Sequence, residues 1–253
     1  MTKTPRDRRS KTVRAPGFDP ELAAIFHTVS GRPSFWDSLN KTDLHEIIYE
    51  LEPAQHVAMV DEDYLDDIAA GFAEVVDSKS HFTKGHSERV TLFADLIAAE
   101  LGFTPERRRW LKRAALLHDI GKLGVSNTIL DKPAKLDNEE WVVMKSHAAQ
   151  TETILSRFSA FQELASIAAA HHERLDGMGY PKGLKGDEIA LESRILAVAD
   201  IFDALTAYRT YRAAMPVPKA LSIMAEEVGK ATDSMCFEAL KIALGRINAS
   251  VAA

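Results

Sequence analysis

The sequence lacks three features that would each mark a particular class of protein. It contains a single cysteine, Cys236, so an internal disulfide is excluded and the composition is typical of a reducing compartment. It has no apolar run near the ~20 residues that a membrane-spanning helix needs, and its basic N-terminus has no apolar stretch of the secretory type. Its net charge is −6, so no excess of positive charge favours a nucleic-acid polymer or a membrane as partner. We therefore expect a cytoplasmic protein.

Alternating strand patterns are also scarce, whereas helical periodicity runs through most of the chain. A capping box at Asp137 and Glu140 predicts a helix through about residue 154, and Thr104 followed by Pro105 predicts another that ends near His118. Further helices are predicted at about 61–78, 84–101, 159–173, 192–208, 217–229 and 234–246. The fold class is therefore predicted to be all-α.

The chain divides into three segments of different character. Residues 1–18 are polar and contain proline and glycine, which predicts a flexible N-terminus. Residues 19–60 carry short helical patterns broken by prolines and no chemical motif, which predicts a small helical subdomain or connector. Residues 61–253 hold the long helical patterns and the motifs that bear chemistry, and they are numerous enough to bury a core without disulfides.

Nine histidines are the main candidates for chemistry. His27, His45 and His56 stand alone, and a lone helical histidine is usually structural or exposed. His118 and Asp119 differ, because adjacent helical positions point ~100° apart and one apolar face cannot explain both. A carboxylate beside an imidazole suits Fe(II), Mn(II) or Zn(II), whereas a satisfied buried His–Asp pair is the structural alternative. This pair by itself leaves both interpretations open.

A second pair, His171 and His172, follows an alanine-rich run that is typical of a buried helix. Burying two neutral imidazoles costs free energy unless their nitrogens have partners, and one shared metal ion would provide them. Asp200 lies in another apolar helix, where the alternatives are a metal ion and a buried salt bridge. Candidate ligands recur at nearly regular intervals along the chain. They are His86, His118, His147, His171 and Asp200. One ligand group per helix is how a helical bundle builds a metal site in its core.

The order of the motifs is more specific than any single residue. HDIGK at 118–122 is followed by HHE at 171–173 and DGMGYP at 176–181. Together with TKGH at 83–86, GLKGDEI at 183–189 and ADIFDALT at 199–206, this order resembles the HD-GYP family of metal-dependent phosphodiesterases over about residues 82–212. The resemblance implies an HD-domain helical bundle at 61–253 with a dinuclear metal site in its core. It also implies two divalent ions, most often Fe or Mn, and hydrolysis of the bacterial second messenger cyclic di-GMP to pGpG or GMP by a hydroxide that bridges the ions.

The resemblance also implies a role for each matching residue. The seven metal ligands would be His86, His118, Asp119, His147, His171, His172 and Asp200. Asp119 would bridge the ions and, with Lys122 and Asp203, form the catalytic group. Lys122 would neutralise charge on the phosphate, and Asp203 would orient the water or the lysine. Glu173 would be a partner for an imidazole. Seven ligands for two ions leave positions open for water and phosphate.

In the same family, the loop after the second histidine pair borders the substrate. Its substrate-binding residues would be Gly177, Gly179, Tyr180 and Pro181. The two glycines permit close backbone approach or a positive φ, and Tyr180 would present its ring at the mouth of the site. Arg209 and Arg212 would bind the second phosphate, with a solvated helix end as the structural alternative for this pair.

Several positions depart from the family pattern. Phe82 stands where some members carry a glutamate associated with a third metal, so we expect two ions. Thr210 replaces a frequent proline, and Asp233–Phe237 replaces the usual Phe-Asp-Pro start of the closing helix, so the substrate end of the cleft differs from the pattern. Phe-Asp-Pro occurs instead at 18–20, which indicates derivation from a longer protein with a related preceding module.

Three functions are compatible with these observations. The leading hypothesis is a cyclic di-GMP phosphodiesterase. The second is an HD-type phosphohydrolase for another cyclic dinucleotide, because a fold does not determine its substrate. The third is a non-catalytic module that binds cyclic di-GMP or a signalling protein and passes a signal through residues 19–60, which would also supply the contacts of a homodimer.

Overall fold

The computed structural model describes residues 19–39, 60–80, 85–208 and 214–251. The chain divides into two compact units, Met1–Met59 and Val60–Ala253. The predicted end of the connector at residue 60 lies beside this division. The predicted flexible segment, 1–18, lies outside the described residues, so its flexibility stays a prediction.

The first unit contains two short helices, α1 (Pro20–Ser30) and α2 (Pro33–Leu39). Asp19 caps α1, because its Oδ1 accepts from the backbone amides of Glu21 at 2.8 Å and Leu22 at 3.1 Å. Neither helix buries a residue. Apolar side chains, among them Leu22 and Phe26, therefore lie on the surface of these helices.

The described residues of the second unit form nine α-helices joined by loops and 3-10 turns. The helices are α3 (Glu62–Lys79), α4 (His86–Glu100), α5 (Pro105–Leu117), α6 (Asn127–Leu130), α7 (Asn138–Leu155), α8 (Gln162–Ala169), α9 (Leu191–Thr206), α10 (Val217–Glu226) and α11 (Ser234–Val251). The 3-10 turns are Ile120–Gly124, Ser159–Phe161, Ala170–His172 and Gly186–Glu188.

The all-α prediction is confirmed, since the described residues contain no strand. The capping box at Asp137 and the Thr104 cap begin α7 and α5 as predicted. The single helix predicted at 159–173 is wrong, because the chain tightens into a 3-10 turn on each side of α8. α10 ends at Glu226, short of the predicted 229, because the chain reverses through a turn in which Gly229 has a φ of 80°. Among the described helices, none combines the length and the apolar character needed to cross a bilayer.

Small side chains let the helices approach closely around α4. Ala94 of α4 is fully buried, as are Ala114 and Ala115 of α5. α4 packs against α5, α9 and α11. Phe202 of α9 meets Phe93 of α4 edge to face, with ring centroids 4.8 Å apart. The N-terminal end of α4, where the first candidate ligand lies, is therefore held inside the core.

The turn after α5 passes directly against α7. A Cβ on Gly121 would lie 1.9 Å from the carbonyl oxygen of His147 and 2.7 Å from the amide nitrogen of Thr151, so only glycine fits. Thr151 Oγ1 donates to the His118 carbonyl at 3.0 Å and accepts from the Gly121 amide at 3.0 Å. These contacts fix the end of α5 against the middle of α7.

Candidate metal centre

Six buried or half-buried side chains form two groups in the core of the second unit. The first group is His86, His118 and Asp119, from the start of α4 and the end of α5. The second is His147, from α7, with His171 and His172, from the 3-10 turn after α8. Within each group the candidate ligand atoms all lie within 4.8 Å of one another. Each group therefore has the donor set and the spacing of a site for one divalent ion.

Asp119 lies between the two groups and directs one oxygen to each. Its Oδ2 is 3.5 Å from Nε2 of His86 and 3.4 Å from Nε2 of His118. Its Oδ1 is 3.4 Å from Nε2 of His147 and 3.8 Å from Nε2 of His171. A carboxylate placed in this way can bridge two metal ions.

Asp200, on α9, is the seventh residue that converges here. Its Oδ1 is 3.3 Å from Nε2 of His86, and its Oδ2 is 4.0 Å from Nδ1 of His172. The structure thus brings together all seven residues singled out as ligands. The lone histidine His27 is exposed on α1, while His45 and His56 are outside the described residues.

Three histidines each have one ring nitrogen in a hydrogen bond and the other without a partner. Nδ1 of each ring lies near the backbone carbonyl three residues earlier, at 2.7 Å for His118, 2.6 Å for His147 and 2.7 Å for His171. Their Nε2 atoms, and Oδ1 of Asp119, are buried without a hydrogen bond. A buried polar atom without a partner costs about 1–3 kcal/mol, so four such atoms aimed at one region fit a group that would coordinate them. Divalent metal ions therefore fit this donor set.

The protonation of the histidines agrees with this interpretation. Burial lowers the pKa of His147 and of His171 to about 4, despite the nearby charge of Asp119. Burial also lowers the pKa of His118 and of His172. Neutral imidazoles keep the lone pair that a metal ion needs, so these four rings are prepared for coordination at neutral pH.

The pKa values of His86 and Asp119 are shifted in a different way. Burial opposes the charge on His86, but hydrogen bonding to Asp119 and Asp203 raises its pKa to about 9. Burial likewise opposes the charge on Asp119, but Lys122 and His118 hold the pKa of this carboxyl well below its usual range. His86 therefore holds a proton among carboxylates, and a divalent ion would displace it.

Lys122 and Asp203, both expected in the catalytic group, occupy different surroundings. The ammonium of Lys122 forms an ion pair with Oδ2 of Asp119, one turn earlier in the chain. Asp203 contacts the His86 ring and Arg89 instead. Its Oδ2 accepts from Nδ1 of His86 at 2.7 Å, and its Oδ1 accepts from Nε of Arg89 at 2.6 Å. Lys122 thus contacts the Asp119 carboxylate, while Asp203 contacts the His86 ring through Nδ1.

Among the described residues, Glu173 has no imidazole as a hydrogen-bond partner, contrary to the expectation; it holds the following loop. Its two carboxylate oxygens accept from the backbone amides of Lys182 at 2.7 Å and Leu184 at 3.0 Å. The residue is buried, so these amides compensate for its loss of water. No sequence pattern indicated this contact, because its partners are backbone atoms beyond the Gly-Tyr-Pro motif.

The loop with Gly177, Gly179, Tyr180 and Pro181 packs against the second group. The ring of Tyr180 lies 4.8 Å from that of His172, centroid to centroid, and its amide donates to the His172 carbonyl at 3.2 Å. A Cβ on Gly179 would lie 2.5 Å from the amide nitrogen of Arg174. Gly177 has a φ of +77°. The loop therefore needs both glycines to bring Tyr180 beside the candidate ligands.

Two remaining expectations concern the substrate end of the cleft. Arg209, Arg212, Thr210 and Phe82 lie outside the described residues, so the arginine roles and the two-ion count that depends on Phe82 stay predictions. Asp233 caps α11, because its Oδ1 accepts from the amides of Met235 at 2.8 Å and Cys236 at 3.0 Å, and its Oδ2 pairs with Arg194 at 3.1 Å. The closing helix thus has an ordinary Asp cap despite its unusual sequence.

Two further residues near the site were not identified from the sequence. Arg89 follows His86 by three positions, a helical spacing that could have drawn attention to it. Lys145 lies two positions before His147 in the chain, with its Nζ 5.9 Å from the centre of the Tyr180 ring. Neither belongs to the motifs that carried the resemblance.

Several known proteins are similar to this chain in sequence and fold. The HD domain family profile matches residues 72–235. The chain is 54% identical over 227 residues to 3'3'-cGAMP-specific phosphodiesterase 3 of Vibrio cholerae, covering 90% of this chain and 49% of that protein. It is 41% identical over 172 residues to the cyclic di-GMP phosphodiesterase response regulator RpfG of Xanthomonas campestris, covering 66% of this chain and 45% of that protein. The chain therefore spans about half the length of these relatives.

Two solved structures are similar. A crystal structure of a cyclic GMP-AMP specific phosphodiesterase of Vibrio cholerae aligns with a TM-score of 0.56 at 50% identity, covering 90% of this chain and 52% of that one. A protein of Bdellovibrio bacteriovorus described as an HDG"Y"P protein aligns with a TM-score of 0.55 at 19% identity, covering 79% and 67%, which supports the fold alone. With the motifs in order and the histidine–aspartate groups in the core, the chain belongs to the HD domain family and, within it, to the HD-GYP proteins.

Proposed function

We propose that this chain is the catalytic part of a cyclic dinucleotide phosphodiesterase that uses two divalent ions, Fe or Mn. The observation that carries the proposal is the position of the Asp119 carboxylate, whose two oxygens face two separate histidine groups. Three ring nitrogens and one of those oxygens are buried without partners, which favours coordination over a purely structural His–Asp cluster. When bound, two such ions would activate a water for attack and neutralise charge on the phosphodiester.

The chain's own residues would position the phosphodiester and balance its charge. Lys122 is partly accessible beside Asp119 and would approach a phosphate oxygen as negative charge develops there. Tyr180 is half-buried and packs on His172, where its ring would support a base or a ribose. The buried Glu173 would keep the loop that carries Tyr180 in place through its two amide contacts.

For the substrate, we propose 3'3'-cGAMP first and cyclic di-GMP second. The relative that is 54% identical is named as specific for 3'3'-cGAMP, whereas the relative named as a cyclic di-GMP phosphodiesterase response regulator, RpfG, is 41% identical over a shorter stretch. The two nucleotides share the phosphodiester ring and differ in one base. Selectivity would therefore reside where the bases lie, and the metal-binding residues would serve both substrates.

The proposal is tested by combining metal analysis with a substrate panel. The protein is purified anaerobically, loaded with Fe²⁺ or Mn²⁺, and incubated separately with 3'3'-cGAMP, cyclic di-GMP and cyclic di-AMP. We expect two ions per chain and linear products from 3'3'-cGAMP, with slower conversion of cyclic di-GMP. A protein that holds both ions and cleaves none of the three nucleotides would refute the enzymatic proposal. Tight nucleotide binding without cleavage would then support a non-catalytic binding module.

A matched pair of lysine variants separates catalysis from general charge effects. Lys122→Met removes the ammonium beside Asp119, while Lys132→Met removes one that is paired with Glu140. Both lysines are partly buried and ion-paired, and only Lys122 contacts a metal-site residue. We expect Lys122→Met to lower kcat with both ions retained and Lys132→Met to leave kcat unchanged. Equal activities of the two variants would contradict the role of Lys122.

A further inference from the structure

His86 is oriented differently from three of the other candidate histidines. His118, His147 and His171 are each held by a backbone carbonyl three residues earlier. His86 is the first residue of α4, so no preceding turn of that helix can offer it such a carbonyl. Its Nδ1 instead donates to the carboxylate of Asp203 at 2.7 Å. The direction of the His86 ring therefore depends on a side chain from another helix.

That carboxylate is itself held by Arg89. Nε of Arg89 donates to Oδ1 of Asp203 at 2.6 Å, and Nη2 donates to Oδ2 at 3.1 Å. The two parallel bonds form the fork that fixes a carboxylate in one plane. Asp203 is almost fully buried, with 1% of its side chain exposed. A buried carboxylate has few other donors, so its orientation depends on this arginine.

From these contacts we propose that Arg89 is a positioning residue for one of the two metal ions. It acts through Asp203 to direct Nε2 of His86 toward Asp119 and Asp200, which lie 3.5 and 3.3 Å away. The inference rests on the proposed two-ion site and adds an asymmetry to it. The ion held by His86 depends on an ion pair between two helices, whereas His147 and His171 of the second group are oriented by backbone carbonyls.

The expected effect follows from removing the fork. Arg89→Gln retains one donor but loses the charge and the second parallel bond, and Arg89→Lys retains the charge without the fork. Changing a group that orients a ligand ring typically weakens metal binding 10–100-fold. We expect Arg89→Gln to weaken the binding of one of the two ions by about this factor and to leave the affinity for the other ion unchanged. The affinity of Arg89→Lys for the weakened ion should lie between those of Arg89→Gln and the wild type.

The protein offers a closely matched control. Arg108 forms the same kind of fork with Asp95, with Nε–Oδ1 and Nη2–Oδ2 distances of 2.8 Å each. The Arg108 side chain is 32% exposed and that of Arg89 39%, so the two arginines have similar access to solvent, although Asp95 is 15% exposed and Asp203 1%. Neither Arg108 nor Asp95 belongs to the metal centre. Arg108→Gln therefore reports the effect of losing a fork that orients no ligand.

The test measures the binding of Mn²⁺ alone to the metal-free protein, with free Mn²⁺ followed by its electron paramagnetic resonance signal. We expect the wild type and Arg108→Gln to bind two ions per chain with the same affinities. Arg89→Gln should bind one ion as tightly as the wild type and the other ion more weakly. Wild-type affinity for both ions in Arg89→Gln would overturn the inference, even if its melting temperature falls as in Arg108→Gln. If Arg89→Gln does not fold, Arg89→Lys decides, and wild-type affinities there would overturn the inference as well.

The same experiment separates this inference from the proposed function. If one ion is weakened in Arg89→Gln but no cyclic dinucleotide is cleaved by the wild type, the positioning role stands and the enzymatic proposal fails. If the wild type binds no second Mn²⁺, the inference fails whichever nucleotide is cleaved.

Discussion

The hydroxyl of Thr151 provides a sharp test of how the candidate metal centre is held together. Thr151 is fully buried in α7, and its Oγ1 donates to the His118 carbonyl while accepting from the Gly121 amide. It therefore joins the two ends of the turn that contains Asp119. Thr151→Val preserves the shape and the β-branch and removes both hydrogen bonds.

The magnitude of the effect follows from what remains buried. The Gly121 amide would lose its acceptor, at a cost of about 1–3 kcal/mol, and the His118 carbonyl would lose a donor worth about 0.5–1.5 kcal/mol. We expect the free energy of unfolding to fall by about 2–4 kcal/mol. For a unit of this size that corresponds to roughly 4–16 °C in melting temperature.

The assay is urea and thermal denaturation of the metal-free protein followed by circular dichroism. The matched control is Thr153→Val, two positions along the same helix, where the hydroxyl donates to the Ala149 carbonyl at an exposed site. We expect this control to change stability by less than about 0.5 kcal/mol, because surface changes of this kind are small. If the two variants lose the same stability, the reasoning about the Thr151 bridge is refuted.

Four other predictions follow from the site. Gly179→Ala should lower kcat/KM with both ions retained, because the new Cβ would meet backbone atoms 2.5 Å away and displace the loop. Asp119→Asn should lower the metal content measured by mass spectrometry and abolish hydrolysis, because the bridging charge is lost. Chelation should lower the melting temperature and Mn²⁺ should restore it, with about 2.7 kcal/mol per site when free metal is 100 times Kd. The stability of the metal-free protein should fall as the pH drops from about 6.5 to 4, because His147 and His171 have folded pKa values of about 4 and bind protons more readily when unfolded. His86, with a folded pKa of about 9, has the opposite effect. The stability that it contributes is fully present below pH 6.5 and is lost as the pH rises through 9.

Each of these predictions has a control or a contradicting result. Gly245→Ala, in an exposed stretch of α11 with open space around its Cβ position, should leave activity unchanged. Retention of two ions by Asp119→Asn would exclude a bridge. A melting temperature insensitive to chelator would exclude structural coupling of the ions. His147→Gln should flatten the pH dependence between 4 and 6.5, and an unchanged slope would exclude His147 as a cause.

The sequence by itself determined the fold class, which depends on local chemistry, and it predicted the candidate ligands from paired motifs and a resemblance. Capping at Thr104 and Asp137 and helical periodicity are properties of neighbouring residues, and they predicted an all-α chain. The paired residues His118–Asp119 and His171–His172 were recognisable because two adjacent polar groups at the end of an apolar helix need a common explanation. All seven residues chosen on these grounds and by resemblance come together in the structure.

Only the tertiary structure decided which atoms face each other. His86 and Asp203 are 117 positions apart, and sequence periodicity does not specify how α4 and α9 rotate and cross. The hydrogen bonds of Asp203 to His86 and Arg89 could therefore not be predicted from the sequence. Glu173 shows the same limit in another form, because its partners are backbone amides set by the path of a loop. Residue types and their order predicted what the site contains, and helix packing determined which oxygen of Asp119 faces which group of histidines.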